Sequence, residues 1–212
     1  MELTQSSNIT KNNGRLRLLA ATGLKINNAS RDFPSMPSLP KAHFPLIDNL
    51  ADEVRALEED LRWLADNDCD FDIECQSCPG VIGLDFESLL RILMALIGIS
   101  VQEMSYQPKK AVRHRMRLAV GRSGTKFLAT PCQKDAARRD NVTLTFRDNG
   151  PGIPLSDLST IFDANRGLHH PRQRYAKLSL VRDLVARGQG EVRVVSRLGL
   201  GTRFDIEFPV LS

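Results

Sequence analysis

The sequence predicts an α+β two-layer sandwich, a mixed and mostly antiparallel sheet with helices on one face. Three observations carry that expectation. Long stretches space their apolar residues three and four apart, the helical period, while several short runs alternate apolar and polar residues, the strand period. The elements follow one another as helix, strand, helix, strand, strand, helix, helix, hairpin. Helices grouped with neighbouring strands, rather than alternating strictly with them, favour a two-layer arrangement over a parallel sheet wrapped on both faces.

Residues 1–44 are rich in Asn, Ser, Lys and Pro and end in "SRDFPSMPSLPKAHF". Prolines in close order break regular structure, so this segment is read as an irregular N-terminal arm, and residues 45–212 as the domain. "LIDNLADEVRALEEDLRWLADND" sets Leu46, Leu50, Val54, Leu57, Leu61 and Leu64 on one face, with its charges opposite, and predicts a helix over 46–65. "CDFDIEC" alternates as a strand. "GLDFESLLRILMALIGISVQEM" predicts a mostly buried helix over 85–104, with Asp85 placed to cap its start. "AVRHRMRLAV" alternates small or apolar residues with basic ones, as a half-exposed strand does, and "TKFLATPC" is a candidate hairpin partner. "NVTLTFRD" is a further strand, "PLSDLSTIF" a short helix and "ANRGLHHPRQRYAK" a loop. "LSLVRDLVARG" predicts a helix over 178–188 that stops at a glycine, and "EVRVVSRLGLGTRFDIEFP" a hairpin with a glycine-rich turn. The expected sheet has about five strands.

Composition sets the class. Of 212 residues, 42% are apolar and 25% charged, which suits a globular domain. No uninterrupted apolar run approaches the roughly 18 residues of a membrane span, and the N-terminus lacks a signal-peptide pattern. A cytoplasmic protein that neither spans a membrane nor binds nucleic acid is therefore expected. The net charge of +4 permits an acidic partner, but aromatics are sparse and no basic helix carries stacking residues. The four cysteines are Cys69, Cys75, Cys78 and Cys132, with one C-x-x-C in "CQSC". A structural zinc site usually takes two such pairs, so free thiols without zinc are expected.

The stretch "VTLTFRDNGPGIPLSDLSTIF" puts an acid and two glycines where a strand ends. Turn punctuation explains them, and so does a ligand that comes close to bare backbone. The pattern "DNGPGIP", then "IFD", then "LSLVRDLVARGQGEVRVVSRLGLGTRF", resembles the C-terminal ATP-binding domain of sensor histidine kinases, within the ATPase group that includes gyrase B, Hsp90 and MutL. Upstream, "PLIDNLADEVRALEEDL" resembles that domain's first helix, and "VIGLDFESLLRILMALI" the strand end and helix that carry its N box. The resemblance covers residues 45 to about 210. It implies that Asp148 matches the acid that accepts a hydrogen bond from the adenine amino group. Gly150 and Gly152 match the glycines that let the chain pass beneath the base, and Thr202 the threonine that supports adenine through water. With Asn149, Phe162 and Gly201 these residues form the candidate nucleotide-binding set.

The departures from the family pattern matter as much. The N box carries an acidic or amide residue and, four positions on, the Asn that holds magnesium; here those positions align with Ala95 and Ile99. Neither can bind a hard cation, which takes oxygen ligands. The glycine-rich lid entrance that cradles phosphates aligns with "RYAKLSL", where Tyr175, Ala176 and Lys177 stand in place of glycines; of these, Lys177 could still meet a phosphate as a point charge. None of His43, His114, His169 and His170 lies in a helical phosphoacceptor pattern. The resemblance thus implies a degenerate kinase-like module with no catalytic residues, weak ATP binding at most and no magnesium. The alternatives are an active histidine kinase domain that phosphorylates another chain, and a histidine phosphotransfer protein. The implied partner is a protein, a response-regulator receiver domain or a histidine kinase. The basic residues Arg113, Arg115, Arg117, Arg172 and Arg174 are candidates to meet it.

Overall fold

The computed structural model describes residues 45–65, 69–105, 113–123, 140–163 and 175–211. They form a five-stranded sheet with helices, as the sequence leads one to expect. Along the chain come α1 (Leu50–Ala56), α2 (Glu58–Leu64), β1 (Cys69–Cys75), α3 (Phe86–Ser105), β2 (His114–Arg122), β3 (Asn141–Asp148), α4 (Leu155–Leu158), α5 (Ala176–Arg187), β4 (Glu191–Arg197) and β5 (Gly201–Pro209). The strand order is β1-β2-β3-β5-β4. Only β1 and β2 run parallel, and α3 lies between them in the chain, as a crossover between parallel strands requires. The other pairs are antiparallel. The arm over 1–44, the proposed strand "TKFLATPC" and most of the loop "ANRGLHHPRQRYAK" lie outside the described residues.

The predicted first helix begins later than its apolar spacing suggests. Leu46 bridges to Asp85, and the Ile47 amide donates to the Leu84 carbonyl at 2.9 Å, so these residues are extended. Helix formation waits until Leu50, and a turn at Leu57 divides the expected single helix into α1 and α2. The apolar stripe survives the break: Leu50, Val54, Leu57, Leu61 and Leu64 are all buried.

α3 begins as predicted, on the Asp85 cap. Its carboxylate accepts from the Ser88 amide at 2.7 Å and from the Ser88 hydroxyl at 3.2 Å. This satisfies a donor that the first helical turn leaves open, typically worth about 1 kcal/mol. α3 is also long and apolar enough, by length and composition alone, to cross a membrane, contrary to the reading of the run from sequence. Here it is a core helix: it packs against α2 and α5, and residues from Leu89 to Ser100 are buried with the single exception of Arg91. Arg91 is half-buried and pairs with Glu87 one turn earlier. The sheet supplies the other half of the core through alternate residues. Phe146 is fully buried and meets Phe71 edge-on, with ring centroids 6.4 Å apart at 76°, a geometry worth about 1 kcal/mol beyond the area it buries.

The opposite residues of β1 and β2 form a charge ladder. Arg113 pairs with Asp70 at 2.5 Å; Arg117 pairs with Glu74 at 2.5 Å and with Asp72 at 3.5 Å. The parallel register sets Asp70 beside Arg115 and Asp72 beside Arg117. The basic strand face expected from sequence is therefore matched by acids from its neighbour. Arg172 and Arg174 lie outside the described residues.

Candidate nucleotide-binding site

Asp148 is the last residue of β3, and it belongs to the set of alternate residues that fills the core. Its carboxylate is 7% exposed. Oδ1 accepts from the Gly150 amide at 2.8 Å and from the Thr202 amide at 3.3 Å; Oδ2 accepts from the Ser100 hydroxyl at 2.8 Å. A carboxylate oxygen has two lone-pair sites, so Oδ1 is saturated and Oδ2 keeps one. Burial pushes the Asp148 pKa up from its ordinary value, partly offset by the bonds from Ser100, Gly150 and Thr202. The site's acid is thus held by three groups of its own chain.

Sequence reasoning missed Ser100. A signal for it exists, since a serine in the otherwise apolar "LMALIGIS" must find an acceptor if that helix is buried. Ser100 and Met104 lie one helical turn apart on α3, and a side chain added at Gly150 would meet both the Asp148 carboxylate and Met104. α3 thereby braces the end of β3 and the loop that leaves it.

Asn149 serves that loop differently. Its amide donates to the Arg115 carbonyl at 3.1 Å, its Oδ1 accepts from the Arg115 amide at 2.7 Å, and its Nδ2 donates to the Arg113 carbonyl at 2.9 Å. The side chain extends the β2–β3 ladder past the end of the strand. Gly152 has φ +73°, and a Cβ there would run into the backbone carbonyl of Arg197; Gly201 has φ +100°, and a Cβ there would run into the carbonyl of Asp148. Glycine is required at both positions by the left-handed backbone and by close approach of the loop to the β4–β5 turn. That contact is completed by the Gly199 amide, which donates to the Pro151 carbonyl at 2.8 Å.

Ser196 is a second residue the sequence did not single out. Its hydroxyl accepts from the Ile153 amide at 2.7 Å, lies 3.0 Å from the Gly201 carbonyl and 2.9 Å from the Thr202 hydroxyl. With the serine proton on Gly201, Thr202 donates to Ser196, and every hydroxyl proton is placed. Thr202 is buried, with its amide on Asp148 and its hydroxyl on Ser196. The structure therefore brings Asp148, Asn149, Gly150, Gly152, Gly201 and Thr202 into one hydrogen-bonded unit.

The remaining candidates frame it. Ala95 and Ile99 are 2% and 5% exposed, and their side chains offer no oxygen to a magnesium ion. Phe162 lies in the turn after α4 and is half-buried. Tyr175 caps α5 with its side chain buried, and Lys177, in the first turn of that helix, is half-buried. Burial lowers the Lys177 pKa and so disfavours its charge. Among the described residues no group of three His, Cys, Asp or Glu side chains is arranged to hold a metal ion. Cys69, Cys75 and Cys78 are not in disulfides; Cys132 lies outside the described residues. Burial pushes the Cys75 thiol up to about 11, which keeps it protonated at neutral pH. The lone pair left on Oδ2 is of the right chemistry for an adenine-like amine, but the residues at the aligned metal positions do not suit magnesium.

The family model described as "Histidine kinase-, DNA gyrase B-, and HSP90-like ATPase" matches residues 85–212. No curated protein matches the chain. Among solved structures, full-length ShkA in complex with AMPPNP is similar at 19% identity and a TM-score of 0.56, over 82% of this chain and 33% of ShkA. The nucleotide-free catalytic domain of the histidine kinase ThkA is similar at 17% identity and a TM-score of 0.53, over 80% of this chain and 97% of ThkA. A mycobacterial sensor histidine kinase, MprB, is similar at 17% identity and a TM-score of 0.52, over 76% and 95% of the two chains. At these identities the likeness is one of fold. The family match spans more than half of the sequence, and its residues include the acid, the glycines and the threonine just described: the chain belongs to the histidine kinase-, DNA gyrase B- and HSP90-like ATPase family.

Proposed function

We propose that this is a histidine-kinase-like domain that no longer uses magnesium–ATP and that acts as a regulatory protein-interaction module in two-component signalling. The observation that carries the reading is the apolar, buried pair Ala95 and Ile99 at the aligned metal positions. Phosphoryl transfer depends on the metal ion to neutralise developing charge on the phosphates. Without it, and with Tyr175 and Lys177 in place of lid glycines, the phosphate end of a nucleotide has little to hold it. An adenine-like contact alone gives a dissociation constant on the order of millimolar or weaker. The partner is a protein, a receiver domain or a histidine kinase.

Calorimetric titration of the protein with ATP tests this. Heats consistent with at most millimolar binding are expected, unchanged by magnesium, with no hydrolysis and no autophosphorylation. Ile99→Asn alone is expected not to restore binding, because the lid residues are unchanged. The second reading, an active kinase domain with a divergent metal site, draws on the lone pair left on Asp148 Oδ2 and the intact Thr202 position. A micromolar, magnesium-dependent signal that disappears in Asp148→Ala would establish that reading and overturn the first.

A further inference from the structure

We propose that β4 is a self-association edge, along which a second copy of this chain lays its own β4 antiparallel, so that one sheet runs through both copies. The proposal is independent of the nucleotide reading, since the side chains it turns on, Glu191, Arg193, Val195 and Arg197, are not among the candidate nucleotide-binding residues.

The two edges of the sheet are treated differently. At β1, the Gln76 amide donates to the Val120 carbonyl, so the even-numbered residues face β2 and the carbonyls of Phe71 and Cys75 point outward. Both are covered. Arg62 of α2 donates to the Phe71 carbonyl, and Arg55 of α1 to the Cys75 carbonyl at 2.6 Å. Guanidinium groups thus hold two of the outward-facing carbonyls that an added strand would need. β4 has no such cover among the described residues. It pairs with β5 in an unbroken one-to-one register from Glu191 to Arg197, without a bulge. It contains no proline, and Val195 is 63% exposed. Such an edge presents a row of unpaired backbone groups as a template.

The sequence of β4 selects a copy of itself. Glu191, Arg193, Val195 and Arg197 are the exposed members of its alternation. Residues directly opposed in an antiparallel pair share a face, so the two-fold axis must pass through a residue. An axis through Arg193 sets Arg193 against itself, and one through Val195 sets Arg193 against Arg197 twice. An axis through Val194 uses the whole strand. It opposes Glu191, which within one copy pairs with Arg193 at 3.0 Å and keeps an exposed carboxylate, to Arg197 at both ends, and Arg193 to Val195, whose surface the arginine stem can cover. It also opposes Leu198, 62% exposed at the hairpin tip, to Gly190 of the second copy, which has no side chain to obstruct it. Opposite charges across strands favour a pairing and like charges oppose it, so the register is defined by charge as well as by shape.

Sedimentation velocity over a concentration series tests the proposal on the full 212-residue chain. The unmodified protein is expected to dimerise. Glu191→Arg and Arg197→Glu are each expected to weaken the dimer by about tenfold, since each introduces two like-charge pairs. The double variant, which exchanges the charges, is expected to recover to within about threefold of the unmodified protein. Val195→Lys, which faces Arg193 in the same register, is an independent disruption at an exposed position. A protein that stays monomeric throughout the series overturns the proposal. So does a dimer indifferent to all of the single substitutions, or a double variant no better than either single one.

Discussion

Gly201→Ala is expected to destabilise the domain by about 3 kcal/mol or more, which for a domain of this size lowers Tm by roughly 10 °C. At φ +100° an alanine Cβ would collide with the carbonyl oxygen of Asp148 and lie 2.8 Å from the Asn149 Cα. Both neighbours are backbone, so no rotamer change relieves the clash; the β4–β5 turn must lift away from the end of β3. That movement would break the Thr202 amide bond to Asp148 and strain the Gly199–Pro151 contact. Gly199 is the control within the same turn. It has φ +76° but nothing within 4 Å of an added Cβ, so Gly199→Ala carries only the left-handed penalty of about 1 kcal/mol. Thermal melts of the two variants separate the effects. Equal losses would show that the close approach at Gly201 contributes nothing, and with it the account of the site as a self-braced unit would fail.

That contrast between glycines bears on what a sequence can disclose. "GLGT" announces a turn, but not which of its glycines is required by contact and which by φ alone. Strand and helix identities were legible because they follow short periods: the alternation in "HRMRLAV" and the apolar spacing in α3 are local patterns. The late start of α1 was not legible, because Leu46 is extended through a bridge to Asp85, far along the chain. The same holds for charge. Arg113 and Arg117 look like an unmatched basic face until the parallel pairing of β1 with β2 sets acids beside them. At the site, the family motif led directly to Asp148 and its glycines, and to Ala95 and Ile99 as departures. It did not lead to Ser100, whose bond to Asp148 spans 48 residues and depends on the phase of α3 against β3. It did not lead to Ser196 either, which acts by joining Ile153, Gly201 and Thr202.

The bond from Ser100 makes Asp148 the other position of large effect. Asp148→Ala is expected to cost about 3 kcal/mol, because it leaves the Ser100 hydroxyl and the amides of Gly150 and Thr202 buried without their acceptor. Asp148→Asn is expected to stay within about 1 kcal/mol of the unmodified protein at neutral pH. Its Oδ1 can accept from both amides, its Nδ2 can donate to the Ser100 oxygen, and the Ser100 proton can turn to a carbonyl of the preceding turn of α3. The sign of the pH effect follows from the direction of the shift. Burial raises the folded-state pKa of Asp148 above its unfolded value. Between those two values the folded state binds more protons than the unfolded one, so the contribution of this group to stability falls as pH rises from the ordinary carboxylate range through the folded pKa, and is constant above it. The asparagine variant has no such proton, and its stability should fall less than that of the unmodified protein over the same window. Denaturant titrations at a series of pH values measure both quantities. An asparagine variant as unstable as the alanine one, or an unmodified protein that gains stability relative to the asparagine variant as pH rises over that window, would mean that the charge itself holds the loop, and that Asp148 is kept as an anion rather than as the neutral hydrogen-bonding centre of its own turn.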